Sequence, residues 1–422
     1  MSQIGQVNEG ASIVLKLKLG KRSSLFAVHV VLQPLFAVSL CLLWFHLQKT
    51  AVLTTPLFAE DCGFKIVLFA VLSVSVCSSL HLAIDPQHGQ PLGLLWQKLW
   101  NREPKPKPPA DETPKQKKQR RALARKIARQ RPFEAKESYR WVEAVHTVDK
   151  QIGTSTRVIH VFDREGDITE VLEQVRQLKQ TGIVVRAAHD RSLNQNSERL
   201  WAKLSAQPIQ FYQDIDIPKT HTQAARTAKV AVRFCQVFLR TPYRFDNRDP
   251  LQVSAVYACE VECPDGVTPL SWMLLTTVAV ATVEMATTIL RWYSYRWRVE
   301  EYHKILKSGT QVERYRLAAD GMKTLLGFLS VIAVELLQFT YLLRTQPEAP
   351  LELVLNPTQI AVLKAKSSQL PKVLTVAWAL EAVARLGGYL EHRRQTPIGI
   401  QVLWRGWLKL QDLCEGWHLA RT

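Results

Sequence analysis

Apolar and polar positions change period several times along this chain, and each change marks an element. Arg157–Phe162 is a short apolar run that closes on Asp163. That pattern predicts a buried strand with an acid at its C-terminal end. A helix over Ile168–Gln180 and a second strand over Ile183–Ala187 follow. Upstream, apolar runs on either side of Pro86–Gly89 predict a β-hairpin over Ser78–Trp100. Glu137–Asp149 reads as a helix with Tyr139, Val142 and Val145 at helical spacing. Between residues 190 and 276 the period is that of strands: Val230–Leu239, Val253–Val261 and Trp272–Thr276. A helix then begins near Thr282 and stops at Gly309. Met322–Arg344 is a long apolar helix in which Glu335 and Gln338 argue for a core position rather than a membrane span. Helices fill 356–394, and Ile398–Ala420 carries Trp404, Trp407 and Trp417 as core or interface aromatics. The fold class is α/β.

Two stretches stand outside this pattern. Residues 24–46 and 66–84 are strongly apolar without clear periodicity. Ser24–Phe45 has the length of a membrane span, but His29, Gln33 and Pro34 interrupt it, and Ser78, Ser79 and His81 break the second run. Three readings stand side by side: membrane segments, a divergent soluble core, or a shifted reading frame or fused fragment. The second stretch, Asn101–Lys115, is rich in proline and charge and reads as a surface linker. It runs into Lys115–Arg131, dense with Lys and Arg between Ala122, Leu123, Ala124, Ile127 and Ala128. That segment reads as a solvated charge run or as a partly helical contact to a phosphate backbone.

Charge favours the second of these. With 55 Lys and Arg against 37 Asp and Glu, the net charge is +18, which points to nucleic acid or an anionic membrane surface as partner. The 422 residues suffice for two or three domains. Seven cysteines, an odd number without any C-x2-C pair, support neither a disulfide framework nor a structural zinc site. Cys259 and Cys263 lie in or beside an apolar run and read as buried thiols, and the usage fits a reducing cytoplasm.

The most informative stretch is Trp292–Lys307. On a continuous helix at about 100° per residue, Tyr293, Arg296, Glu300 and Lys307 fall within about 60° of one another. A carboxylate thus lines up with a phenol, a guanidinium and an ammonium. The first can hold a divalent metal and the others can grip phosphate. A solvated helix with ordinary Glu–Lys pairs is the alternative.

The spacing Y-x2-R-x3-E-x6-K resembles the signature of cut-and-paste insertion-sequence transposases of the DDE superfamily, in the Y-R-E-K subgroup. Three further stretches match in order: Val161–Ile168 (VFDREGDI), Pro269–Thr276 (PLSWMLLT) and Ala384–Tyr389 (ARLGGY). Pro91–Gln97 reads like the strand before the family's first core helix. The resemblance runs from Ser78 to the C-terminus. It implies an RNase H-like mixed sheet with a β-rich insertion before the acidic helix and a helical C-terminal region. The corresponding segments are an unassigned 1–77, a first core part 78–189 with a basic loop 101–131, an insertion 190–276, the rest of the core 277–345, and 346–422, suited to dimerisation.

The resemblance further implies three carboxylates holding two Mg²⁺ (or Mn²⁺) ions. Asp163 matches the second of these acids and Glu300 the third, as catalytic and metal-holding residues. Asp167 is expected to cap the next helix. Tyr293, Arg296 and Lys307 match the residues that bind phosphate near the transposon's 5′ end, while Lys304 and Arg298 read equally as further phosphate contacts or as solvent-facing charge. Trp272 matches a tryptophan that holds a flipped base, and Trp297 could stack likewise. The partners implied are double-stranded DNA at transposon ends, target DNA and a second copy of the chain, with no small-molecule substrate, in the cytoplasm at the nucleoid. The first carboxylate is missing. Upstream of Ser78 the chain has Asp61, Glu9 and Glu60 in unmatched surroundings, and Asp85 lies beyond the first hairpin strand. The expectation is therefore a transposase that cleaves weakly or not at all. A catalytically dead remnant that binds DNA or dimerises is one alternative, and a protein anchored to the membrane through residues 24–84 is another.

Overall fold

The computed structural model describes residues 13–16, 27–30, 66–72, 77–100, 111–153, 156–194, 198–217, 224–242, 244–245, 249–315, 317–390 and 398–421. It divides into two compact units, residues 1–58 and 59–422. In the first, β1 (Ile13–Lys16) and β2 (Ala27–Val30) pair antiparallel. The expectations for 24–46 fall largely outside the described residues.

The second unit is built on one mixed nine-stranded sheet. Its elements in order are β3 (Ile66–Leu72), β4 (Cys77–Ile84), β5 (Pro91–Trp100), α1 (Pro114–Gln130), α2 (Tyr139–Ile152), β6 (Val158–Phe162), α3 (Thr169–Arg176), β7 (Thr181–Arg186) and α4 (Leu200–Ser205). Then come β8 (Phe211–Ile217), β9 (Arg226–Leu239), β10 (Leu251–Glu260), β11 (Ser271–Thr276), α5 (Val283–Ser294), α6 (Trp297–Lys304), α7 (Ala319–Thr345), α8 (Pro357–Lys366), α9 (Val376–Leu386) and α10 (Ile400–Leu419). The strand order is β5-β4-β3-β6-β7-β11-β10-β9-β8. β3, β6 and β7 run parallel and every other neighbouring pair is antiparallel. The mixed α/β fold and the helical C-terminal region expected from the sequence are both present.

Two segments find their place in the sheet. Ile66–Leu72, set apart as part of an unrelated N-terminal segment, is a central strand: β3 lies between β4 and β6, with Ala70 opposite both His81 and Phe162. The β-rich stretch after residue 190 is present and joins the main sheet. β11 pairs with β7, so β8–β11 extend the same sheet.

Alternation along the strands sends side chains to two cores. Phe162, Ile183, Val185 and Leu275 meet Trp141 of α2, Leu172 of α3 and Leu200 of α4 on one face. Ile159, Val161, Val184 and Leu274 meet Ile289, Val299, Leu337 and Leu380 on the other. Burial on both faces explains why β6 and β7 read as unbroken apolar runs.

α7 is the one described helix long and apolar enough to cross a membrane: within Asp320–Thr345 an 18-residue window has mean hydropathy 1.8, with 56% of that window buried in the fold. Its polar groups address the hairpin. Gln338 donates to the Pro91 carbonyl at 3.1 Å, and Tyr341 donates to the His88 carbonyl at 2.8 Å.

The Ala384–Tyr389 motif acquires a packing reason at the α9–α10 crossing. A Cβ on Gly387 would lie 1.9 Å from the Val402 carbonyl oxygen, and one on Gly406 would lie 1.8 Å from that of Val383. Only two glycines let these backbones approach so closely.

Candidate functional site

β6 ends at Phe162, and the chain turns at once into a short 3-10 segment, Arg164–Gly166. Asp163 starts that turn: its Oδ1 accepts the Glu165 amide at 2.9 Å. Gly166 is required behind it, because a Cβ there would meet the Phe162 Cβ at 2.5 Å. The Asp-Arg-Glu-Gly sequence therefore fixes the acid at the mouth of a buried parallel strand. Asp167, expected as a helix cap, does something else. It is buried, accepts the Ala188 amide at 2.8 Å, and is held by Arg191 at 2.5 Å. The N-cap of α3 is Ile168, without a side-chain cap bond.

The acidic helix starts where expected, with Thr282 accepting the Met285 amide, but it is not continuous. α5 stops at Ser294, the bonds of Arg296, Arg298 and Val299 shorten to i→i+3, and α6 resumes at Trp297. A π-turn over Ile305–Gly309 ends the run. Tyr293, Arg296 and Glu300 stay together across the first break. Arg296 donates to Glu300 Oε1 at 2.6 Å, while Glu300 Oε2 is buried and meets no hydrogen-bond partner in the structure. Burial pushes the Glu300 carboxyl up, Arg296 opposes this, and the charge of Asp163 adds to it. Burial likewise raises the Tyr293 phenol, against the pull of Arg296 and Arg186.

Asp163, Tyr293, Arg296 and Glu300 are thus close enough to act on one another electrostatically. Arg186, at the end of β7, joins them: it is close enough to Tyr293 and Arg296 to act on both electrostatically, and it donates to the Ser271 carbonyl at 2.7 Å. Sequence reasoning missed Arg186, and a lone arginine after an apolar run carries no local signal. Trp272 is half-buried on β11 and meets the Tyr293 ring edge-on at 4.8 Å, so it borders the same cluster.

The remaining expected residues lie elsewhere. Arg298 donates to the Gly89 carbonyl at 3.3 Å and to Glu301 at 2.9 Å, and covers the Tyr341 ring at 5.3 Å. It braces the hairpin against α7. Lys304 is exposed. Lys307, carried round by the π-turn, acts on His303, whose imidazole burial first and that ammonium second hold down at about 4. Trp297 is half-buried. Asp85 is spent in its own turn, accepting the His88 amide at 2.9 Å. Asp61 lies outside the described residues.

The donor set decides what the cluster can do with metal. A bridged pair of divalent ions needs carboxylates from several elements. Asp163 and Glu300 supply two. β3, the parallel neighbour of β6, reads Ile-Val-Leu-Phe-Ala-Val-Leu. Its register with β6 ends at Ala70 opposite Phe162, the residue before Asp163. Among the described residues no third His, Cys, Asp or Glu completes a group, and Arg296 already occupies one oxygen of Glu300. The described residues thus supply two of the carboxylates that a two-metal centre needs. They do fit an oxyanion: Arg186, Arg296 and the Tyr293 hydroxyl are three convergent donors beside two acids. No protein-family model matches the chain.

Proposed function

We propose that this chain is a DNA-binding protein of the DDE transposase type whose grip on a DNA-end phosphate persists and whose strand-cleaving centre is incomplete. One observation carries the reading. Two acids from distant parts of the sequence, Asp163 after β6 and Glu300 on α6, face a common cluster with Arg186, Arg296 and Tyr293. The strand order supports it. A hairpin, a central strand and two parallel neighbours (β5-β4-β3-β6-β7) is the arrangement of an RNase H-like core, with β8–β11 then placed as its β-rich insertion. The net charge of +18 supplies the long-range attraction for DNA.

In this reading the guanidinium of Arg186, pinned by the Ser271 carbonyl, presents a fixed fork to phosphate oxygens. Arg296 exchanges part of its bond to Glu300 for the phosphate. The terminal base stacks at Trp272, beside Tyr293. In the same reading cleavage is weak or absent because β3, apolar along Ile66–Leu72, brings no carboxylate beside the end of β6.

Fluorescence anisotropy with a 5′-phosphorylated duplex of about forty base pairs tests the grip. Arg186→Gln and Arg296→Gln are each expected to weaken binding about tenfold or more, since a charge-assisted bond contributes about 1.5–3 kcal/mol. The effect should shrink on the same duplex with 5′-hydroxyl ends. Equal binding by wild type and both variants would overturn the reading.

A further inference from the structure

α1 is a seventeen-residue helix whose described side chains are all exposed. Its start is locally determined. Thr113 accepts the Gln116 amide, the Gln116 side chain returns to the Thr113 amide, and Pro114 opens the first turn. Beyond that, every described side chain from Thr113 to Gln130 is exposed, including Leu123 at 59% and Ile127 at 49%. A helix that served the fold would bury such a stripe.

The helix holds Lys115, Lys117, Lys118, Arg120, Arg121, Arg125, Lys126 and Arg129 and not one acid. Glu112, just ahead of it, is taken by Arg120 in a two-bond pair at 2.6 and 2.8 Å. At about 100° per residue, the cations other than Arg120 spread over an arc of about 180°, while Arg120, Leu123 and Ile127 occupy the other half. Among the described residues Lys115, Lys117, Lys118, Arg121, Arg125 and Lys126 have no acidic partner. Like charges one turn apart repel, so the half-cylinder is costly until a polyanion neutralises it. With its side chains a helix is about 10–12 Å across, and the major groove of duplex DNA is about 12 Å wide, walled by phosphates on both sides. A cationic arc of about 180° matches two walls, where a flat anionic surface would meet only part of it.

Chain connectivity ties this helix to the site. α2 follows within ten residues, and its Arg140 holds Glu165 at 2.8 Å, two residues beyond Asp163.

We infer that α1 is a DNA-clamping arm that lies in the major groove of the duplex whose end phosphate sits at Arg186 and Arg296. Its cations contact phosphates of both strands without reading sequence. The end-phosphate part of this statement rests on the function proposed above, and the arm itself does not.

The test uses the full chain and the variant Lys117→Gln/Lys118→Gln/Arg121→Gln/Arg125→Gln. All four positions are exposed, and glutamine keeps helix propensity. Binding to the 5′-phosphorylated duplex is titrated between about 50 and 200 mM salt. The slope of log K against log salt should flatten by about 3.6, at about 0.9 per lost phosphate contact. Affinity at the lower salt should fall at least 100-fold. An unchanged slope overturns the inference, as does a variant that loses only binding to vesicles containing phosphatidylserine. If the slope flattens while Arg296→Gln binds like wild type, the arm stands and the end-phosphate reading fails. If Arg296→Gln weakens binding and the slope stays, the reverse holds.

Discussion

β6 and β3 are parallel neighbours in the same sheet, and they end differently. β6 delivers Asp163 to a cluster with Glu300, Arg186 and Arg296, while β3 stays apolar along Ile66–Leu72. In the proposed function the phosphate-binding half of the cluster depends on β7, α5 and α6, and a metal-binding half would need β3. Under that proposal, gripping a DNA end and cutting it are distinct physical tasks carried by different strands of one sheet.

The comparison can be broken by restoring what β3 lacks. Val71→Asp puts a carboxylate on β3 one residue past Ala70, whose partner Phe162 precedes Asp163. Mn²⁺ affinity, read by water-proton relaxation, should rise at least tenfold over wild type, about 1.4 kcal/mol or more. No rise would mean that β3 is not where the missing ligand belongs.

A second change acts on the support beneath α6. α10 packs against the π-turn that follows Glu300's helix, and its crossing with α9 needs Gly387 and Gly406. Gly406→Ala forces a Cβ onto the Val383 carbonyl, and overpacking of this kind costs about 1–3 kcal/mol. Urea unfolding should show that loss. DNA affinity per folded molecule should change little, and a large affinity loss at constant stability would place α10 in the binding surface.

β3's position between β4 and β6 has its own pH signature. His81 and His160 flank it, both fully buried, with ring centroids 5.4 Å apart and no hydrogen-bond partner on either ring. Burial lowers both, His160 to about 3 and His81 well below its ordinary value, with His160 adding to the latter. Between roughly pH 6.5 and 3 the unfolded chain holds protons that the folded chain refuses. Stability from this pair is therefore complete above about pH 6.5 and falls as pH drops, by about 1.4 kcal/mol per unit for each histidine. Glu335, pushed up to about 7 by burial, acts with opposite sign, so the difference between wild type and His81→Leu/His160→Leu isolates the pair. The double variant should lose less stability between about pH 6.5 and 5. Parallel pH curves would show that the rings are not enclosed together.

The smallest expected effect lies in the acids. Asp163→Asn should change the affinity for 5′-phosphorylated duplex less than about threefold, and toward tighter binding, because it removes a negative charge beside the phosphate position. A large loss would mean that Asp163 binds DNA through an ion.

Much of this was legible in the residues. The strand ending at Asp163, the hairpin around Pro86–Gly89 and the helix start at Thr282 are local patterns, set by burial alternation and capping chemistry. The break at Tyr295 and Arg296 was not legible, because nothing in that run disfavours a continuous helix. Tertiary demands impose it: Trp292 donates to the Pro86 carbonyl, Tyr295 to that of Gln87 and Arg298 to that of Gly89. The same break, with the π-turn, removes Lys307 from the line that a regular helix would give it. Arg186 joins the cluster only through strand pairing across 85 residues of sequence. The crossing of Gly387 with Gly406 is likewise visible only once α9 and α10 are packed. The role of β3 escaped because its apolar residues fit a membrane segment or an arbitrary fragment as well as a central strand.

Divalent-ion-dependent cleavage tests the central claim most directly. The purified full chain is bound to 5′-phosphorylated duplex and to supercoiled plasmid, then given Mg²⁺ or Mn²⁺ with Glu300→Gln as the background. The account predicts retained binding and no nicking above that background. Robust, Glu300-dependent strand cleavage by the wild-type chain would contradict it.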